Sequence, residues 1–295
     1  MEKFGKSQPV KRVEDHRFLI GVGRYVDDIA PQGALHGVFF RAPVAHGVIT
    51  ELDVSDARDA EGVHLVLTCA DLEAAGMDIA LPHTVVDNRD GSKGAAPLRP
   101  MLAKDRVRYV GEPVALIVAE TLQQARDAAE LILFDADDLP AKMDLTPGGE
   151  TLHTEAPDNR AFDWGMGDEA KVEAAFAKAA RRVKLEVGDN RIIVNSMEPR
   201  GCYAEWADDR LHVALGGQGV WAHKNFFVKA FGLSEDNVRV TNPDVGGGFG
   251  MKAMTYPEYF CIAQAARALG RPVRWMSERT EAMLTDNCLL YTSPS

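Results

Sequence analysis

Apolar and polar positions alternate with several different periods along this chain, and each period predicts an element. Residues 35–41, 64–68 and 114–119 are short apolar runs rich in branched and aromatic side chains, which predict buried strands. Between residues 121 and 134, Leu122, Ala125, Ala128, Ala129 and Ile132 recur at helical spacing. Residues 168–183 give the clearest helical pattern, with Val172, Ala175, Phe176, Ala179 and Val183 on one face. Asp168 and Glu169 open that stretch and Lys178, Arg181 and Arg182 end it, which complements a helix dipole. Strands are expected at 184–187 and 191–194. A helix follows over 219–231, with Val220, Phe227 and Phe231 on one face and Gly232 near its end. A short strand at 238–241 precedes a helix over 257–269, whose stripe is Tyr259, Ile262, Ala263, Ala266 and Leu269. Gly270 suits its C′ position and Pro272 follows it.

Between these segments the chain is punctuated. Residues 1–19 are polar and read as an exposed arm. Residues 82–100 hold enough Pro, Gly and charge to read as a long surface loop. A second loop at 144–160, with Pro147, Gly148, Gly149 and Pro157, sets a boundary between a first domain at 20–142 and a second at 143–287. The mixture of strands and helices makes the fold class α+β.

Composition narrows the function. Acidic residues outnumber basic ones 44 to 33, for a formal charge of −11, and no basic patch offsets it, so a phosphate backbone is a poor partner and no nucleic acid is expected. The longest apolar run, at 114–119, is far too short for a bilayer, and the N-terminus lacks the apolar core of a signal peptide. The expected location is the cytoplasm. Cys69, Cys202, Cys261 and Cys288 are widely spaced, without a CxxC pair, so free buried thiols are expected rather than a zinc or iron–sulfur site. No HExxH-like pair is present, so a metal should arrive inside a cofactor rather than on side-chain ligands.

Three segments could carry chemistry. In Val245-Gly246-Gly247-Gly248-Phe249-Gly250, the missing Cβ atoms let backbone N–H groups approach a bulky ligand. The spacing matches neither a P-loop nor GxGxxG, because Met251 stands where the last glycine would be, and a tight turn without a ligand remains the plain alternative. Gly216-Gly217-Gln218-Gly219 places a neutral amide just before a helix, where it can donate to an oxygen or simply be solvated. Glu198, in Asn195-Ser196-Met197-Glu198-Pro199-Arg200-Gly201, is either an acid–base group or a structural carboxylate bonded to backbone or to Arg200, the latter being favoured. The pairs Asp27-Asp28 and Asp137-Asp138 read as turn or surface carboxylates.

Taken together and in order, the motifs are specific. The segment 12–29, RVEDHRFLIGVGRYVDDI, resembles the opening of carbon-monoxide-dehydrogenase-like large subunits of the xanthine oxidase family. Residues 109–115, YVGEPVA, are similar to a motif late in that family's α/β hammerhead domain. Residues 197–200, MEPR, resemble the start of its molybdopterin-binding domain, and GQG at 217–219 and GGGFG at 246–250 follow in the family's order.

The resemblance implies a hammerhead domain at 20–142 and a truncated first molybdopterin-binding domain at 143–287. It implies that Gln218 approaches an oxygen ligand of molybdenum, that Phe249 and Gly250 lie beside the metal and pterin, and that Gly219, Gly247 and Gly248 complete the cofactor-binding set. The implied cofactor is molybdenum–molybdopterin in its cytosine dinucleotide form. An iron–sulfur small subunit and an FAD-binding medium subunit are the implied partners. The implied reaction is oxidation of carbon monoxide, an aldehyde or an N-heterocycle, with water as the oxygen source. The family's catalytic base is a glutamate far downstream, which Glu198 does not match, so no catalytic residue is expected in this stretch and little turnover from it alone. Residues 288–295 depart from the family and read as a foreign or out-of-frame tail. The alternatives are an inert assembly fragment and a nucleotide-dependent dehydrogenase.

Overall fold

The computed structural model describes residues 9–81, 85–144, 146–188 and 192–287. Residues 288–295 therefore lie outside it, as do residues 1–8 of the predicted arm, 82–84 of the first loop and Arg191 of one predicted strand. Among the described residues ten strands are formed: β1 (Leu35–Arg41), β2 (Gly47–Asp53), β3 (Val63–Leu67), β4 (Arg106–Val107), β5 (Pro113–Ala119), β6 (Leu133–Asp138), β7 (Gly201–Ala207), β8 (Arg210–Leu215), β9 (Val238–Thr241) and β10 (Val273–Met276). The α-helices are α1 (Asp15–Leu19), α2 (Ser55–Asp59), α3 (Cys69–Ala74), α4 (Leu122–Ala129), α5 (Glu169–Lys178), α6 (Trp221–Phe231), α7 (Pro257–Leu269) and α8 (Arg279–Thr285).

The larger sheet has the order β3-β5-β1-β10-β7-β8-β9, and the smaller one β4-β2-β6. Strands from both halves of the sequence share the larger sheet, joined where β1 runs parallel to β10 with Leu35 opposite Val273. β5 shows why its sequence is apolar throughout. Leu116 and Val118 face a core with α7 and Trp275, while Ala115, Ile117 and Ala119 face a second cluster with Ala125 and Ala128 of α4. A strand covered on both faces needs no polar alternation. α7 is buried along most of its length and ends with Gly270 in the left-handed conformation, as its pattern predicts.

A charged knot ties the halves together. From β1, Arg41 donates to Glu258 of α7 at 2.7 Å and to Glu281 of α8 at 2.6 Å. Arg200 donates to Glu258 at 3.1 Å and to Asp286 at 2.6 Å, and its guanidinium lies 3.7 Å from the centre of the Tyr256 ring. Burial pushes the Glu258 carboxyl up, but Arg200 and Arg41 outweigh it and hold the group down at about 2.

Several sequence expectations are corrected. The helix expected across 121–134 stops at Ala129, and residues 133–138 become β6, paired with β2. The pairing is long-range and the Phe40–Phe134 ring contact supports it, so the local period could not reveal it. The helix expected to Val183 ends at Lys178, and it has no buried residue. Residues 184–187 are not a strand, and Val183, Leu185 and Val187 are exposed; of residues 192–194 only Ile193 makes a single β-bridge. Apolar content alone does not make a strand without a pairing edge. The described part of the N-terminal stretch is held where Arg17 grips Asp244, whose carboxylate also accepts from the Arg24 N–H at 2.7 Å. Cys69, Cys202 and Cys261 are buried free thiols.

Candidate functional site

Sheet topology brings the glycine motifs together. β8 and β9 are parallel neighbours, with Ala214 opposite Thr241, so the loops leaving their carboxyl ends emerge side by side. β7 is antiparallel to β8, with Cys202 opposite Leu215, so the segment that enters β7 arrives at the same end and carries Glu198 with it.

The loops are joined directly. The Gly250 N–H donates to Gln218 Oε1 at 2.7 Å, and the Gln218 N–H donates to the Lys252 carbonyl at 3.1 Å. Asn242 Nδ2 donates to the Gly217 carbonyl at 2.8 Å. A Cβ on Gly248 would lie 2.6 Å from the Gln218 side chain, so only glycine allows this approach. Gly247 and Gly250 have φ of +97° and +88°. Phe249 also sits in the left-handed region at φ +50°, which costs a non-glycine residue about 1–2 kcal/mol. Its ring folds back over Gly247, and the residue is 64% exposed.

Because Gln218 Oε1 is engaged, its amide nitrogen is the end left to donate. The N–H groups of Gly247, Gly248 and Phe249 donate to no other described residue. Gly219 has φ +115° and lies exposed beside Gln218, and its carbonyl faces Asn242 Nδ2 at 3.5 Å. All six residues singled out in the sequence thus come together where the two loops meet, Gln218, Gly219, Gly247, Phe249 and Gly250 at least partly accessible and Gly248 buried against the Gln218 side chain.

Glu198 has the structural role favoured from sequence, with a different side-chain partner. Its Oε2 accepts from the Gly246 N–H at 2.8 Å and from Lys252 Nζ at 2.9 Å, not from Arg200. Asp28 accepts from the Tyr25 N–H at 2.9 Å and Asp27 pairs with Arg274, so both are turn carboxylates; Asp137 and Asp138 lie on β6. Sequence reading missed Lys252, Asn242 and His223. The last is buried under the loop near Gly217, where burial pushes its imidazole below the ordinary histidine range. Lys252 carries one signal in the sequence, a lone lysine two residues beyond a glycine run, but a buried partner for it is visible only after folding.

Two family models match in succession. Residues 20–140 match the aldehyde oxidase and xanthine dehydrogenase a/b hammerhead domain, and residues 152–288 match the molybdopterin cofactor-binding domain. The chain is 39% identical over 280 residues to the nicotine 6-hydroxylase large subunit of Paenarthrobacter nicotinovorans, covering 93% of this chain and 34% of that protein. It is 33% identical to the carbon monoxide dehydrogenase large chain of Hydrogenophaga pseudoflava, covering 92% of this chain and 35% of the relative. The crystal structure of a Cu,Mo-CO dehydrogenase in its carbon monoxide reduced state superposes with a TM-score of 0.81 at 31% identity, over 95% of this chain and 36% of that one. The chain thus spans about a third of the length of the relatives it matches. With both domain models in order and the same fold throughout, the chain belongs to the xanthine oxidase family of molybdopterin-binding subunits and is similar to the carbon monoxide dehydrogenase large chains.

Proposed function

We propose that the whole protein is a molybdenum-dependent oxidoreductase acting on a small molecule, and that loops 216–219 and 246–250 form part of the cradle for its molybdenum–pterin cofactor. One observation carries this reading. The Gly250 N–H bonds to Gln218 Oε1 while Gly248 presses against the same side chain, so two loops distant in sequence become one surface with unspent donors. A cofactor bearing oxygen, sulfur and phosphate acceptors needs such donors and bare backbone. When bound, that group supplies two-electron redox chemistry.

The chain's own residues then have limited, definite tasks. Gln218 Nε2 would hold an oxygen of the group without adding charge. The N–H groups of Gly247, Gly248 and Phe249 would line its edge, and the exposed Phe249 ring would keep water from it. Gly219 would admit the group beside Gln218. Glu198 Oε2 is held by Gly246 and Lys252, and the resemblance places the family's base glutamate far downstream, so we assign the proton acceptor to another part of the whole protein.

The resemblance supports the finer points. We assign the cytosine dinucleotide form of the cofactor, water as the oxygen source, and electron transfer to an iron–sulfur subunit and an FAD subunit. We place the enzyme in the cytoplasm, and among the described residues no helix is long and apolar enough to cross a membrane. The substrate is carbon monoxide, an aldehyde or an N-heterocycle; the nicotine and carbon monoxide for which two relatives are named fall within that range. The proposed units are an arm at 1–19, a hammerhead domain at 20–142 and part of a molybdopterin domain at 143–287. This stretch alone is expected to turn over little. The inert-fragment reading is tested with the same material, and family membership removes the support for a nucleotide-dependent dehydrogenase.

The test is to express the whole gene with its neighbours and assay molybdenum and pterin. Stoichiometric metal is expected, and its absence sinks the proposal. In that protein Gln218→Ala should slow reduction by substrate by about 100–1,000-fold, the range for losing one donor to a developing charge, without unfolding. Unchanged reduction kinetics would remove Gln218 from the site.

A further inference from the structure

Beneath the two loops lies an ion pair to which the cofactor reading gives no task. Lys252 is fully buried, and the Glu198 side chain is 10% exposed. Glu198 clasps Gly246 twice: its Oε2 accepts the Gly246 N–H, and its own N–H returns to the Gly246 carbonyl at 3.0 Å. A Cβ on Gly246 would lie 2.5 Å from Glu198 Cβ, so this contact is as tight as the one at Gly248. The same carboxylate borders the first loop, since a Cβ on Gly216 would meet its two oxygens at 3.3 and 3.4 Å. Lys252 closes the circuit. Its ammonium bonds Glu198 Oε2, and its carbonyl accepts the Gln218 N–H.

Burying two charges generally stabilises a fold no better than an apolar pair of similar volume, so stability alone does not account for this arrangement. What it does provide is direction. The carboxylate bonds the Gly246 backbone and borders Gly216, and the ammonium it holds belongs to the residue whose main-chain carbonyl accepts the Gln218 N–H, so the pair fixes the two loops relative to each other. We propose that Glu198 and Lys252 are positioning residues that hold loop 246–250 against Gln218, in the arrangement that leaves the Gln218 amide nitrogen and the loop N–H groups free for the cofactor. The proposal rests on the cofactor reading for its purpose, but its test reads the loops themselves.

The experiment is hydrogen–deuterium exchange with peptide resolution on the whole protein, as isolated with its co-purifying chains. The variants are Lys252→Met, Glu198→Gln and the double substitution, which leaves no buried charge unpaired. The comparison is made in every variant whose α7 peptides stay as protected as in the parent. There, peptides covering 242–254 and 216–219 should exchange about tenfold faster or more, the loss expected when a charged hydrogen bond no longer closes a local opening. Molybdenum retained per chain should fall in the same variants. The double variant separates the two kinds of role: normal thermal stability with loops still fast supports positioning, and normal stability with parent-like loops shows a merely structural pair and overturns the proposal. If no variant keeps α7 protected, the pair belongs to the general framework and the proposal also falls. A parent protein without molybdenum would sink the cofactor reading while leaving the exchange result to stand or fall by itself.

Discussion

Phe249 has the costliest backbone at the site for the least burial. Its left-handed φ is unfavourable for any residue with a Cβ, and its ring is mostly exposed, so it contributes little to the core. Core packing does not account for such a residue, and the proposed cofactor contact would. Phe249→Gly removes the steric cost and adds chain entropy to the unfolded state, two effects of similar size and opposite sign. Stability measured by urea denaturation should stay within about 1 kcal/mol of the parent, against roughly 3–5 kcal/mol for truncating a buried phenylalanine. Molybdenum retention should fall in the same variant. A large loss of stability would mean that the ring packs in solution and that its exposure carries no functional meaning.

At the scale of elements, α5 and α7 make the contrast. Both have apolar stripes at helical spacing, but α7 is buried against the sheet while Val172 and Phe176 of α5 are about half exposed. α5 forms all the same, with Asp168 as its N-cap accepting from the Lys171 N–H at 3.0 Å. Local propensity and a cap suffice to place it, while its stripe meets no core among the described residues. Phe176→Ser should therefore change the thermal midpoint of this stretch by less than the equivalent of about 0.5 kcal/mol. A loss of several kcal/mol on this substitution would show that the helix is packed in solution.

For the whole molecule, the buried knot of Arg41, Arg200, Glu258, Glu281 and Asp286 couples the two halves of the sequence through side chains as the β1–β10 pairing does through backbone. Glu258 has an ordinary value near 4.5 when unfolded and is held at about 2 when folded. The unfolded chain therefore binds the proton first as pH falls. The stabilising contribution is complete above about pH 4.5 and is lost progressively between there and pH 2. Denaturation midpoints measured across that window should decline, and Glu258→Gln, though less stable at neutral pH, should show a shallower decline. A slope unchanged by the substitution would take Glu258 out of the acid response.

The amino-acid sequence by itself determined the locally driven elements. The apolar runs of β1, β3, β5 and β9 and the stripes and caps of α6 and α7 are properties of neighbours a few residues apart, and they appear where their patterns place them. The ordered motifs likewise pointed to the family, and the glycines and Gln218 to the candidate surface. Only the tertiary structure decided what depends on distant partners. β2, β6, β7, β8 and β10 exist because edges were available to pair with, and residues 184–187, apolar as they are, join neither sheet. Glu198 and Lys252 meet only because β7 is antiparallel to β8 while β9 is parallel to it, which delivers segments 54 residues apart to one end of the sheet. A charged side chain has no period that names its partner. Which carboxylate a buried lysine finds is settled by strand order and chain direction.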